Sequence, residues 1–98
     1  MDPQKFRHST TLAGPPDGLG FALQALWWDA KGDWNKAHEC AQARDDDPGM
    51  SVHAYLHRKE GDLANADYWY NRAEAERPRG TLEKEWEALA RQFLEERD

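Results

Sequence analysis

A chain of 98 residues corresponds to one small domain. Its formal net charge of −6, with 33% charged residues, argues against a nucleic-acid-binding protein, which carries a basic patch for phosphates; His57-Arg58-Lys59 and Arg77-Pro78-Arg79 are its basic clusters, and both have acidic neighbours. The single cysteine, Cys40, excludes an intrachain disulfide, no apolar run approaches the roughly 18 residues of a membrane span, and residues 1–16 lack the apolar stretch of a signal peptide, so a cytoplasmic protein without membrane or nucleic-acid partners is expected.

Residues 1–17 are polar and interrupted by Pro3, Gly14, Pro15 and Pro16. They read as a mobile arm with Phe6 or Leu12 for local packing. Asp17 or Gly18 opens a first helix. Leu19, Ala22, Leu23, Leu26, Trp27 and Ala30 recur at the spacing of one apolar stripe, and Phe21, Ala25 and Trp28 make a second beside it. A helix with two such stripes is covered from two sides. Gly32 ends it and Asp33 caps the next helix, residues 34–44, whose inner face carries Trp34, Ala37, Cys40 and Ala41.

Asp47-Pro48 reads as an N-cap followed by proline at the first helical position. The third helix runs to Lys59 with Val52, Tyr55 and Leu56 inside. Gly61-Asp62 repeats the turn. The fourth helix, residues 63–76, is expected to bury Leu63, Ala66, Trp69, Tyr70 and Ala73, and Pro78 and Gly80 stop it. Thr81 caps a fifth helix with Leu82, Trp86, Leu89, Ala90 and Phe93 as its stripe. No strand pattern competes. The expected organisation is an all-α domain over residues 18–98, with hairpins at 18–47 and 48–78 and a capping helix at 81–97.

The two Gly-Asp turns lie 29 residues apart, and at that offset Ala25 falls on Ala54 and Ala37 on Ala66. A shared period marks a chain built from repeated supersecondary units. In the second unit, Gly61, Ala66, Tyr70, Ala73 and Pro78 follow at gaps of 5, 4, 3 and 5 residues. This pattern resembles the second helix and exit of tetratricopeptide-like helical hairpins, and Ala54 sits where that family places a small residue. The first unit departs from it: Ala41 replaces the aromatic residue, Arg44 the alanine, and Pro48 comes one position early. The resemblance implies antiparallel helix pairs, close contact of Ala54 with Ala66, and a partner-binding face for protein or peptide.

His53 and His57 are four apart, so they share a helix face. Glu60 lies one turn further, and His38, Glu39 and Cys40 sit on the preceding helix. Two such imidazoles suit a metal ion, a small-molecule or hydrolytic site, or simple packing against Asp67 or Tyr70. No recognisable spacing sets a third and fourth ligand, so neither a metal nor another cofactor is expected. Trp28 and Trp69 read as core residues by helical spacing, or as aromatic residues offered to a partner, and Arg58, Glu60 and Arg72 as a solvated rim around the second turn, or as a polar cluster that orients a ligand. Asp45-Asp46-Asp47 lacks the spacing of a calcium loop. No nucleophile elbow, phosphate loop or dinucleotide fingerprint is present. The leading expectation is therefore an interaction module, with a protein, a peptide or a second copy of the chain as partner in a homodimer. The alternative is a ligand-binding or hydrolytic domain, and the residues that would serve either are Trp28, His38, His53, His57, Arg58, Glu60, Trp69 and Arg72.

Overall fold

The computed structural model describes residues 1–96. The described residues contain helices and no strand. They form α1 (Pro3–His8), a 3-10 turn (Ser9–Thr11), α2 (Phe21–Lys31), α3 (Trp34–Gln42), α4 (Asp47–Glu60), α5 (Leu63–Arg72) and α6 (Leu82–Glu96). No helix among them is long and apolar enough to cross a membrane. The expected fifth-helix end at residue 97 lies outside the described residues.

The two Gly-Asp turns have the same construction. Gly32 and Gly61 adopt left-handed φ values of 97° and 92°, a region open to glycine because it has no Cβ. The N–H of Gly32 bonds Asp29 O and that of Asp33 bonds Trp28 O; Gly61 and Asp62 repeat this on Arg58 O and His57 O. These paired bonds satisfy the terminal carbonyls of α2 and α4. Asp33 and Asp62 then accept from the N–H groups of Lys36 and Asn65, capping α3 and α5.

Each turn folds its two helices against one another. α2 packs on α3, α4 on α5, and α3 on α4, while α6 lies across α2 and α4. The main core gathers Leu23, Leu26, Trp27, Val52, Leu56 and Trp86. Ala54, Ala66 and Tyr70 form a second buried cluster inside the α4–α5 hairpin, with Trp69 against it.

Several boundaries differ from the sequence reading, each for a local reason. The first helix starts at Phe21 with Gly20 as its N-cap, not at Asp17 or Gly18. Asp46, not Asp47, caps α4 by accepting from the N–H of Gly49. A Cβ on Gly49 would stand 2.6 Å from Arg44 O and 3.0 Å from Ala41 O, so the absence of a side chain lets α4 start against the end of α3. α5 stops at Arg72 rather than near residue 76. Glu74 takes a left-handed φ of 57°, and Ala75 N–H reaches back to Tyr70 O. Leu63 is exposed; the backbone of α5 lies against α4, and α5 reaches α6 through the Tyr70–Glu85 hydrogen bond.

Among the described residues the count is six α-helices rather than five, because the arm is folded. Asp2 caps α1 by accepting from Lys5 N–H. Phe6 is fully buried and stacks on Trp86 at 5.7 Å between ring centroids, and the Arg7 guanidinium lies 4.1 Å over the Trp86 ring. Trp27 Nε1–H donates to Ser9 Oγ, and Lys31 Nζ donates to the carbonyls of Thr10 and Leu12. Leu12, the other expected anchor, is exposed.

Two substitutions test this packing. Phe6→Ala should cost about 3–5 kcal/mol, the range for emptying a large buried aromatic site; a free arm would leave the urea midpoint unchanged. Ala54→Leu should cost about 1–3 kcal/mol by overpacking the α4–α5 contact, read from the same denaturation curves.

Candidate functional site

Val52 to Leu56 and His57 are all buried. A run of six buried residues exceeds one and a half helical turns, so α4 is covered around its circumference. Its polar side chains must therefore find partners inside the protein.

On one side of α4, His53 and His57 meet His38 of α3. Nε2 of His38 and Nε2 of His53 are 2.9 Å apart, so one nitrogen donates and the other accepts. The rings of His53 and His57 stack with centroids 4.7 Å apart, and His38 stands edge-on to both. One ring nitrogen from each histidine lies within 4.8 Å of the other two. Aromatic residues hold the cluster on two sides. Trp34 lies parallel to His38 at 4.9 Å, and Trp69 lies parallel to His53 at 4.1 Å. The spacing from Trp34 to His38 is one helical turn, which places both on the face of α3 that meets α4. Trp34 Nε1–H donates to Leu56 O and so ties α3 to α4 beside the histidines.

Glu60 accepts from His57 Nδ1–H at 2.6 Å. A carboxylate only accepts, so this bond places the His57 proton on Nδ1 and its lone pair on Nε2. Asn65 Nδ2–H approaches that Nε2 from α5 at 3.4 Å. The expected acceptors were on the helix after the second turn, at Asp67 or Tyr70. Instead Asp67 pairs with Arg77 and Tyr70 donates to Glu85. His53 and His57 are satisfied by α3, by their own helix and by Asn65.

A cleft of about 320 Å³ opens beside His53 and is lined by Ala41, Met50, Trp69, Arg44, Asp45 and Arg72, among others. Arg72 lies over the Trp69 ring at 5.0 Å and pairs with Asp45 at 3.2 Å. His53, Trp69 and Arg72 thus form a stack running from the buried cluster to the surface.

Of the eight candidate residues, His38, His53, His57, Glu60, Trp69 and Arg72 belong to this connected group. Arg58 does not. It donates to the buried Glu85 at 2.8 Å and to Gly80 O, joining α4 to α6. Trp28 packs edge-on against Trp27 and under Lys36. Trp34 and Asn65 join the cluster although neither was among the eight. The Trp34–His38 spacing and the position of Asn65 three residues after its cap were the available signals. Cys40 lies outside the potential metal-holding groups found among the described residues, and burial pushes its thiol up, away from the reactive thiolate.

Comparison of the chain with family models, with curated proteins and with solved structures gives no match.

Burial pushes the His53 pKa down to about 4, with smaller contributions from His38 and His57; burial, then His57, also lowers that of His38. The other charged groups facing His53 are Arg44, Asp45 and Arg72 of the cleft. In the unfolded chain the same imidazole takes up its proton near 6.5. Between these values the unfolded chain binds the proton and the native state does not, so stability falls as pH drops through that interval. The unfolding temperature should fall between pH 6.5 and pH 4, and the fall should be shallower in His53→Gln. Parallel pH profiles for the two proteins would contradict the assignment.

Proposed function

We propose that this protein is a small-ligand-binding domain whose site is the junction of His38, His53 and His57, carried on a short tetratricopeptide-like pair of hairpins. The observation that carries this reading is the kind of partner His53 has. Its Nε2 faces another imidazole nitrogen, whereas the other buried polar groups are matched to complementary ones. Asp29 accepts from Tyr55 and Lys59, and Glu85 accepts from Tyr70 and Arg58. Three imidazoles pressed together are poorly matched electrostatically, because any proton added to one opposes protonation of the next. Such a cluster beside a cleft with converging polar groups is the arrangement of a site.

The interaction-module reading asks for a contiguous exposed apolar patch. The exposed large apolar residues are Met1, Leu12, Phe21, Leu63 and Tyr68, spread over the N-terminal segment, α2 and α5. That distribution favours the cleft over a docking face.

Residues kept for binding can be exchanged for apolar ones with little loss of stability. The double variant His38→Leu/His53→Leu removes both ends of one hydrogen bond, which is close to neutral when shapes are kept. Its thermal midpoint should equal or exceed that of the native protein. Tyr70→Phe, which strips a donor from buried Glu85, should cost about 1–3 kcal/mol. A loss in the double variant as large as in Tyr70→Phe would mean that the histidines are packing elements, and the reading would fall.

A further inference from the structure

We propose that His38, His53 and His57 together hold one divalent transition-metal ion of the zinc class, with a fourth position left for water or a small ligand. The inference rests on the reading of this junction as a binding site and names what it binds.

Four observations lead to it. First, the donors converge from both hairpins: His38 comes from α3, and His53 and His57 from one face of α4. Each offers a ring nitrogen within 4.8 Å of the others. Tetrahedral zinc with bonds of about 2.0–2.1 Å places its nitrogen ligands roughly 3.4 Å apart. The Nε2 atoms of His38 and His53, at 2.9 Å, are slightly closer than that, so ion entry asks for a small opening rather than a rearrangement. The sequence offered no third ligand at a familiar spacing; the packing of α3 on α4 supplies it.

Second, the next layer of residues suits a metal site. A ligating histidine usually gives its other N–H to a carboxylate, which fixes the ring and raises its basicity. Glu60 does this for His57 through Nδ1 at 2.6 Å, which puts the lone pair on Nε2, where an ion would take the place of the long 3.4 Å contact from Asn65 Nδ2–H. Third, the rings are held in place. Trp34 stacks on His38 and Trp69 on His53, and α4 is enclosed, so little side-chain freedom remains to be lost on binding. Fourth, the donor set is three neutral imidazoles without a thiolate, a set suited to zinc and its neighbours rather than to calcium or magnesium. Three protein ligands on such an ion leave one place unfilled.

The protonation change is local. In the metal-free protein either His38 or His53 carries its proton on Nε2, between the two rings. When the ion enters, that ring must carry its proton on Nδ1 instead, so that both Nε2 lone pairs face the metal. The other potential group, His57 with Glu60 and Asp62, competes poorly: Asp62 already caps α5 through Asn65 N–H, and both carboxylates are exposed.

The test uses the full chain purified without chelators, titrated with Zn²⁺ against a chromophoric competitor and with Co²⁺ as a spectroscopic probe. The expected result is one ion per chain, visible Co²⁺ bands of tetrahedral type, and a higher unfolding temperature with Zn²⁺. His38→Gln and His53→Gln should each lose the tetrahedral bands. Glu60→Gln should keep the stoichiometry and weaken affinity by about 10–100-fold. Should His53→Gln not fold, His38→Gln, at a half-buried position, still decides the matter. No zinc uptake by the native chain at micromolar concentration, or equal affinity in His38→Gln, would overturn the metal assignment. The thermal midpoint of His38→Leu/His53→Leu then separates the two claims: a retained or raised midpoint leaves a site for another ligand, and a lowered one removes the site as well.

Discussion

The enclosure of the middle of α4, from Val52 to His57, sets the terms for the rest of the molecule. A helical stretch covered on all sides leaves no solvent for its buried polar side chains, and each unpaired one would cost of order 1–3 kcal/mol. α4 carries Tyr55, Arg58, Lys59 and two histidines, which reach partners on several neighbouring helices. Tyr55 and Lys59 both donate to Asp29 of α2, at 2.7 Å each. Arg58 donates to Glu85 of α6, which also accepts from Tyr70 of α5 at 2.6 Å. Two buried carboxylates therefore fix α2, α5 and α6 around α4. Breaking such a pair from one side leaves a buried charge, so these bonds specify the arrangement more than they add to its stability. Burial and the adjoining carboxylates push both tyrosine hydroxyls well above their ordinary range, which keeps them as neutral donors.

The tryptophans serve the same enclosure. Trp34 and Trp86 each bury a large ring and spend their single N–H on a main-chain carbonyl, that of Leu56 and that of Leu26. Trp86 is also the surface on which α1 is seated, between Phe6 and Arg7. Residues 3–11 are thus part of the fold because α6 offers an aromatic face that would otherwise be wet.

The turns and the periodic stripes could be read directly, because glycine at a left-handed φ and an aspartate cap are local requirements. What could not be read depends on neighbours in space. α1 is short and polar, and it is seated on the core through Phe6 meeting Trp86, 80 positions away. The early end of α5 turns on Glu74 taking a conformation that usually calls for glycine. Asp29 and Glu85 look like ordinary surface acids in the sequence, although Asp29 interrupts an otherwise apolar run, which is a usable sign of a buried carboxylate. For the site, the His53–His57 pair and its Glu60 were legible from spacing on one helix. His38 could be named as a candidate on the preceding helix, but its contact with the pair follows only from the way α3 crosses α4.

The 29-residue offset between the two Gly-Asp turns bears on where the cluster lies. Positions 29 apart make matching contacts: Lys36 lies over Trp28, and Asn65 approaches His57. Trp28 and His57 are therefore one structural position used twice. Trp34 and His38 correspond to Leu63 and Asp67 in the second unit. On α3 those positions meet α4, whereas on α5 they meet no further helix among the described residues, so Leu63 is exposed and Asp67 turns to Arg77. A site that needs the outer face of one hairpin and the first helix of the next can form only at a junction between units. Two units provide one junction, and the three histidines stand there. The same geometry that encloses the middle of α4 brings the imidazoles together, so the core and the histidine cluster have a common origin in the contact of α3 with α4.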